Sequence, residues 1–300
     1  MISEIRTDLA LEARQLYGER GGDLSSLPGI KFSEKTEGGF FLSTTEVVSP
    51  EGEAALGKPM GRYVTLEPEA LLRREENAFA EGCALLAAEL RKFLNFPSSA
   101  PVLVAGLGNR DITPDAIGPI TVDNIMVTRH LREKLPEHFG AFRPVSAICS
   151  GVLGTTGIES GSIIGAICEA VSPAAVVAVD ALASRSLSRL CRTVQIADTG
   201  IVPGSGVGNA RQALNRETLG VPVIAIGVPT VVDAATLAAD LSLSAGVEAD
   251  FSRSGKAGGM IVTPRDIDKN VRDISKFIAY SLNMSLHEGL TVEDIDMFLS

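Results

Sequence analysis

The sequence predicts an α/β fold: a mostly parallel sheet with helices on both faces, preceded by a small N-terminal β/helical arm. Two observations predict it. From Pro101 onward, short continuous apolar runs alternate with segments of helical length, the pattern of strands buried on both faces by crossover helices. Before that point the apolar runs are shorter, separated by glycine pairs, and carry more polar residues.

The arm comes first. Residues 1–28 are polar, with the loop-like Gly18-Glu19-Arg20-Gly21-Gly22-Asp23. Ile30–Phe32 and Phe40–Thr45 read as strands separated by the turn signal Gly38-Gly39, and Arg62–Leu66 as a third. Together they predict a small antiparallel sheet or arm. Leu72, Phe79, Cys83, Leu86, Leu90 and Phe93 then recur at helical spacing, with Arg, Glu and Lys between them. Pro97-Ser98-Ser99 breaks the chain. The arm therefore runs over 9–98 and the α/β core over 99–300, the whole forming one compact domain.

Within the core, Val102–Gly106, Val145–Ile148, Ala174–Val179, Thr193–Ile196 and Val221–Ile226 read as strands. Helices are expected near 117–134, 157–171, 230–246, 266–284 and 291–299. No internal repeat and no low-complexity tract interrupts this order.

Composition excludes several classes. Apolar residues form 45% and charged residues 21% of the 300, ordinary values for a globular protein large enough to bury a core. Acidic residues outnumber basic ones 37 to 27, for a formal charge of -10. That argues against a nucleic-acid partner, which needs a basic face. No apolar run reaches the ~20 residues of a membrane span, and Met1–Arg6 lacks the regions of a secretory signal. A cytoplasmic protein without nucleic-acid or membrane partners is expected. Cys83, Cys149, Cys168 and Cys191 form no close pair, and His130, His138 and His287 are scattered. Free thiols are expected, with no metal site and no cofactor.

In parallel sheets the ligand site lies beyond the carboxyl ends of the strands. Those ends carry Gly106-Leu107-Gly108-Asn109 through Asp115, then Asp180, Asp198, and Gly227–Thr230, with the glycine-rich loop Pro203–Asn209 close behind Asp198. Gly106-x-Gly108 opens no dinucleotide site, because Asp111 occupies the third glycine position. Two carboxylates at strand ends can split the roles of base and acid and activate water toward a peptide carbonyl. Asp111, Asp123 and Asp198 could equally be caps or loop anchors, and spacing alone does not choose the pair.

The sequence resembles the germination protease family over most of its length. The resemblance is carried by Arg6-Thr7-Asp8-Leu9-Ala10, Gly61–Glu67, Gly106-Leu107-Gly108-Asn109, Thr113-Pro114-Asp115-Ala116, Val122-Asp123-Asn124 and Thr128–Leu131. It continues through Phe142–Ile148, Thr156–Glu159, Asp180–Ala183, Pro203–Asn209, Pro229–Ala234 and Ile261–Pro264, in the same order. The resemblance implies an endopeptidase that cuts small acid-soluble spore proteins in the spore core at germination. It implies Asp115 and Asp180 as the catalytic pair, a phosphorylase/hydrolase-like fold similar to hydrogenase maturation peptidases, and a homotetramer. Gly106, Gly108 and Asn109 would shape the loop presenting Asp115, with Asp123 and Asp198 as possible support.

The family is made as a zymogen, and the matching junction is Asp8–Leu9, so residues 1–8 are expected to be a propeptide. The metal-binding relatives supply a histidine after the second acid, and Ile201–Ala213 holds none; a metal-free site is expected. Two features depart from the family: the segment before Leu9 is short, and Leu243–Met260 is shorter than the corresponding insertion. Two other readings stay open, a metal-dependent maturation-type peptidase and a non-enzymatic anion-binding module.

Overall fold

The computed structural model describes residues 5–208, 210–245 and 260–300. Among the described residues its centre is one sheet of nine strands: β1 (Ile30–Glu37), β2 (Phe40–Val47), β3 (Gly61–Glu67), β4 (Val102–Leu107), β5 (Val145–Gly151), β6 (Ala175–Ala183), β7 (Val194–Ala197), β8 (Val223–Asp233) and β9 (Ile261–Val262). Their spatial order is β1-β2-β3-β7-β8-β6-β4-β5, with β9 beside β8. The parallel part is β8-β6-β4-β5. β7 runs antiparallel to β8, and β3 antiparallel to β7, so the N-terminal strands extend the central sheet.

Strand β4 shows why its sequence is a continuous apolar run. Val102 and Val104 face one core, against the helices Ala78–Phe93 and Ile267–Leu286, which contribute Leu86, Leu90 and Phe277. Leu103, Ala105 and Leu107 face the other, against Ile164 and Cys168 of the helix Ser160–Val171. Side chains alternate across a strand, and both faces are dry, so no polar position survives. Each fully buried Leu or Phe here contributes about 1.5–3 kcal/mol of transfer free energy.

Several element bounds differ from the sequence reading, each for a local reason. The helix Ala10–Glu19 lies within the stretch read only as polar; its short apolar stripe of Leu11, Ala13 and Leu16 is covered. The amphipathic pattern from Leu72 is broken in two by Arg74 and Asn77, both at positive φ, and Leu72 is exposed. The helix expected over 117–134 is two, Ile117–Val122 and Arg129–Lys134. Strand β8 runs on through Gly227–Thr230, which the sequence reading placed in a loop; the segment is buried throughout. Cys83, Cys168 and Cys191 are free and buried, and Cys149 is free and exposed. Asn209 and most of Leu243–Met260 lie outside the described residues. Among the described residues no helix is long and apolar enough to cross a membrane.

Candidate active site

The chain leaves β4 toward β5 on one side, and β6 then lies on the other. That reversal opens a crevice at the carboxyl ends of β4 and β6, where ligands bind in open α/β sheets. Pairing of β6 with β4 ends at Val179 opposite Gly106. Asp180 is the next residue, paired only with Gly227 of β8. The sequence reading put Asp180 at its strand's end; β6 continues to Ala183, and the free edge begins at Asp180. A cleft of about 580 Å³ opens there, lined by Asp115, Asp180, Asn109, Pro114, Ala183 and Asp8, among others.

Asp115 reaches the cleft on the loop after β4, in the 3-10 turn Thr113–Asp115. Its Oδ2 accepts from the Asn109 N–H at 2.8 Å. Gly108 sits at φ +100, and a Cβ there would lie 2.1 Å from the Asp115 carbonyl oxygen. Only glycine meets both conditions. Gly106 serves a different approach: a Cβ would lie 2.5 Å from the Gly118 carbonyl oxygen, so it lets the helix Ile117–Val122 rest on β4. Thr230 of β8 is buried and donates from Oγ1 to the Pro114 carbonyl oxygen at 2.6 Å. Gly108 and Asn109 thus touch Asp115 directly, whereas Gly106 touches the helix that follows it.

Burial pushes the Asp115 carboxyl up to about 6, opposed by the Asn109 N–H bond. Asp180, 4% exposed, is held well above the usual carboxylate range. Burial is the main cause and the charge of Asp115 the next; the Ala181 N–H bond opposes them, and Asp8 adds to the rise. Two interacting carboxyls oppose each other's ionisation. Two carboxyls raised to different extents can take the carboxylate and protonated forms side by side, the pairing that hydrolytic general acid–base chemistry uses.

The other sequence-singled carboxylates fall elsewhere. Asp123 makes a two-pronged ion pair with Arg110, at 2.5 and 2.9 Å, outside the cleft lining. Asp198 accepts from the Arg62 N–H at 2.7 Å. Because β7 runs antiparallel to its neighbours, its carboxyl end lies at the opposite end of the sheet from Asp180. Strand direction is not legible in a strand of four residues, which is why Asp198 looked convergent. Among the described residues no three His, Cys, Asp or Glu side chains form a metal-ligating group.

Sequence reasoning gave Asp8 and Leu9 only as a junction; the structure puts Asp8 inside the cleft. Asp8 N donates to the Ala183 carbonyl oxygen at 2.9 Å, and the Ala183 N–H returns a bond to Asp8 Oδ2 at 2.8 Å. Ser205 Oγ donates to Asp8 Oδ1 at 2.8 Å. Gln195 spans the junction: Nε2 donates to the Asp8 carbonyl oxygen at 3.2 Å and Oε1 accepts from Ala10 N at 2.8 Å. Lys58 Nζ donates to the Thr7 carbonyl oxygen at 2.9 Å. Leu9 is fully buried. Gln195, Lys58 and Ser205 carried no sequence signal beyond Ser205's place in the glycine-rich loop.

A second cavity of about 1080 Å³ lies on the other side of residues 5–8 and shares Asp8, Leu182, Val202 and Gly206 with the first.

The family model described as germination protease matches residues 10–243. A germination protease of Clostridium perfringens is 42% identical over 324 aligned residues, covering 99% of each chain. That of Caldanaerobacter subterraneus is 42% identical, covering 98% of each. That of Priestia megaterium is 47% identical over 243 residues, 79% of this chain and 65% of its own. Among solved structures, the [NiFe] hydrogenase maturation protease HycI of Thermococcus kodakarensis matches 65% of this chain and 98% of its own, at 17% identity and a TM-score of 0.36. The family match spans the strands and loops that carry Asn109, Asp115, Asp180 and Gln195, and the chain belongs to the germination protease family.

Proposed function

We propose that this chain is an endopeptidase that opens the degradation of small acid-soluble spore proteins at germination, using Asp115 and Asp180 as an acid pair. The observation that carries the reading is that both carboxyls line one crevice at the switch point of the sheet. Membership of the germination protease family supports a peptidase acting in spore germination; the acid-pair mechanism, the spore-core location and the homotetramer belong to the proposal.

The roles follow from the environments. Asp115, at about 6, is largely ionised near neutrality and takes a proton from water as the water oxygen attacks the peptide carbonyl carbon. Asp180, the more buried and more raised of the two, gives its proton to the carbonyl oxygen. Collapse of the tetrahedral intermediate returns that proton to Asp180, while Asp115 passes its own to the departing nitrogen. The C–N bond breaks, and both carboxyls return to their starting forms.

The precursor form belongs to the same reading. Residues 6–8 line the larger cavity and Asp8 lines both, bonded to Ala183, and the matching conversion site is Asp8–Leu9. Removal of residues 1–8 would join the two cavities into one groove long enough for an extended substrate.

The test compares wild type with Asp115→Asn and Asp180→Asn on a purified small acid-soluble spore protein, with and without chelator, using protein whose N-terminus has been mapped. Cutting in chelator by wild type, with both variants folded and inactive, supports the acid pair. Loss of cutting in chelator points instead to a metal-dependent peptidase.

A further inference from the structure

Glu12 is a buried carboxylate that the acid pair does not use. It stands in the first turn of the helix Ala10–Glu19 with no exposed surface. Its Oε2 accepts from the Arg185 N–H at 2.8 Å and from Thr7 Oγ1 at 2.5 Å. Its Oε1 accepts from the Ser186 N–H at 3.3 Å and lies 3.4 Å from Arg189 Nε. The Thr7 hydroxyl also accepts from the Leu9 N–H, at 3.0 Å. One hydroxyl, on the segment to be removed, therefore bridges the Leu9 nitrogen and the Glu12 carboxylate.

We propose that Glu12 receives the α-ammonium group created on Leu9 by conversion, forming an ion pair between the new N-terminus and the loop that follows β6. The inference rests on reading Asp8–Leu9 as the conversion site. Hydrolysis there puts the hydroxyl of water on the Asp8 carbonyl carbon and its hydrogen on the Leu9 nitrogen, which takes a second proton from solvent to become a cation. Loss of residues 1–8 carries Thr7 away. Glu12 loses a donor and the Leu9 nitrogen loses its acceptor, leaving two groups of opposite charge where one oxygen had joined them.

Two anchors keep them together. Ala10 N stays bonded to Gln195 Oε1, and Arg185 holds Glu19 through two bonds, at 2.7 and 2.8 Å. Both anchors lie outside the removed segment, so the helix is retained. A cation at a helix N-terminus opposes the helix dipole, and an acid in the first turn offsets it. An uncompensated charge among buried residues is strongly destabilising. Arg189, Arg185 and Lys58 also face Glu12, yet burial still holds its carboxyl above the usual range, so a further cation is accommodated. Arg185 and Ser186 follow the strand that carries Asp180 and Ala183. Glu12 is thus a positioning residue, tying the new N-terminus to the wall of the cleft.

The experiment converts full-length wild type and Glu12→Gln, maps both N-termini by intact mass, and follows acylation of the α-amine near pH 7. An ion pair that raises the amine's pKa by about one unit slows labelling about tenfold. Labelling about tenfold slower in wild type than in Glu12→Gln, with kcat falling more than KM rises in the variant, is the expected result. Equal labelling rates in two chains that both begin at Leu9 overturn the inference alone. A wild-type chain beginning elsewhere overturns the conversion reading as well. If Glu12→Gln does not convert, carbodiimide coupling of converted wild type decides. Loss of one water within the N-terminal peptide identifies Glu12 as the partner; a link to the peptide containing Asp180, or none at all, overturns the inference.

Discussion

Asp8 and Ala183 are joined by two hydrogen bonds, one from Asp8 N to the Ala183 carbonyl oxygen at 2.9 Å and one from Ala183 N to Asp8 Oδ2 at 2.8 Å. The second makes a side chain do what a neighbouring strand's backbone would do, on the very edge that β4 leaves open. Asp8→Ala removes the acceptor for both Ala183 N–H and Ser205 Oγ. A lost bond to a charged group costs about 1.5–3 kcal/mol, so the strap should open roughly ten- to hundredfold more often. Hydrogen exchange at the Asp8 and Ala183 amides measures this; unchanged exchange at both would show that the carboxylate does not hold the strap.

In the proposed mechanism the pH dependence of peptide cutting follows from the pair. Asp115 must be ionised, so kcat/KM should rise as pH passes about 6. Asp180 must be protonated, so the rate should fall again at higher pH, where it ionises. Asp180→Asn cannot donate and Asp115→Asn cannot accept; each should lose about 10²–10⁴-fold, the usual worth of general acid–base catalysis. A profile that is flat between pH 5 and 7, within the range that brackets an ordinary shift of this kind, roughly one to two pH units, would remove Asp115 from the role of base.

The same shift makes a stability prediction of opposite sense. Asp115 ionises at about 6 in the folded chain and at ~3.9 in the unfolded one. Its contribution to stability is therefore full below the unfolded value and is lost as pH rises through the folded value. Asp115→Asn has no proton to lose. The inactive variant should be the more stable protein at neutral pH, by about 1–3 kcal/mol, with the difference gone below about pH 4. Urea unfolding at both pH values checks it; a variant less stable at neutral pH would mean that the Asn109 N–H bond outweighs burial.

How much of this was legible in the sequence depended on what each residue had to satisfy. The parallel strands were legible because burial on both faces leaves only apolar residues in Val102–Leu107 and Ala175–Val179. The lengths of β6 and β8 were not, since Asp180 and Pro229 look like strand ends and only the pairing with Gly227 and Leu182 shows otherwise. Asp115 and Asp180 entered through the family resemblance, because strand-end carboxylates are common. Asp198 looked equivalent until the direction of β7 placed it at the far end of the sheet. Gln195 and Glu12 act through contacts far apart in sequence, at Asp8 and Arg185, and no local pattern announces such contacts.

Gly108 tests the loop that presents Asp115, the base in the proposed mechanism. Its φ of +100 is open to glycine and strained for any L side chain, and the Cβ of alanine would meet the Asp115 carbonyl oxygen at 2.1 Å. The strain alone costs about 1–3 kcal/mol, and the contact forces the 3-10 turn at Thr113–Asp115 away from β4. Gly108→Ala should therefore lower stability by that amount and lower kcat by more than the stability loss explains, because a misplacement of the base on the order of 1 Å can cost about a hundredfold. Thr230→Val is the companion variant: it removes the hydroxyl that fixes the Pro114 carbonyl from the opposite side while leaving the glycine turn intact. If the loop is held from both sides, Thr230→Val should reduce kcat in the same direction with a smaller stability loss, about 0.5–1.5 kcal/mol for one lost neutral hydrogen bond. Circular dichroism melts and single-turnover cutting on the two variants measure both quantities, and full kcat in a folded Gly108→Ala protein would remove this loop from the presentation of Asp115.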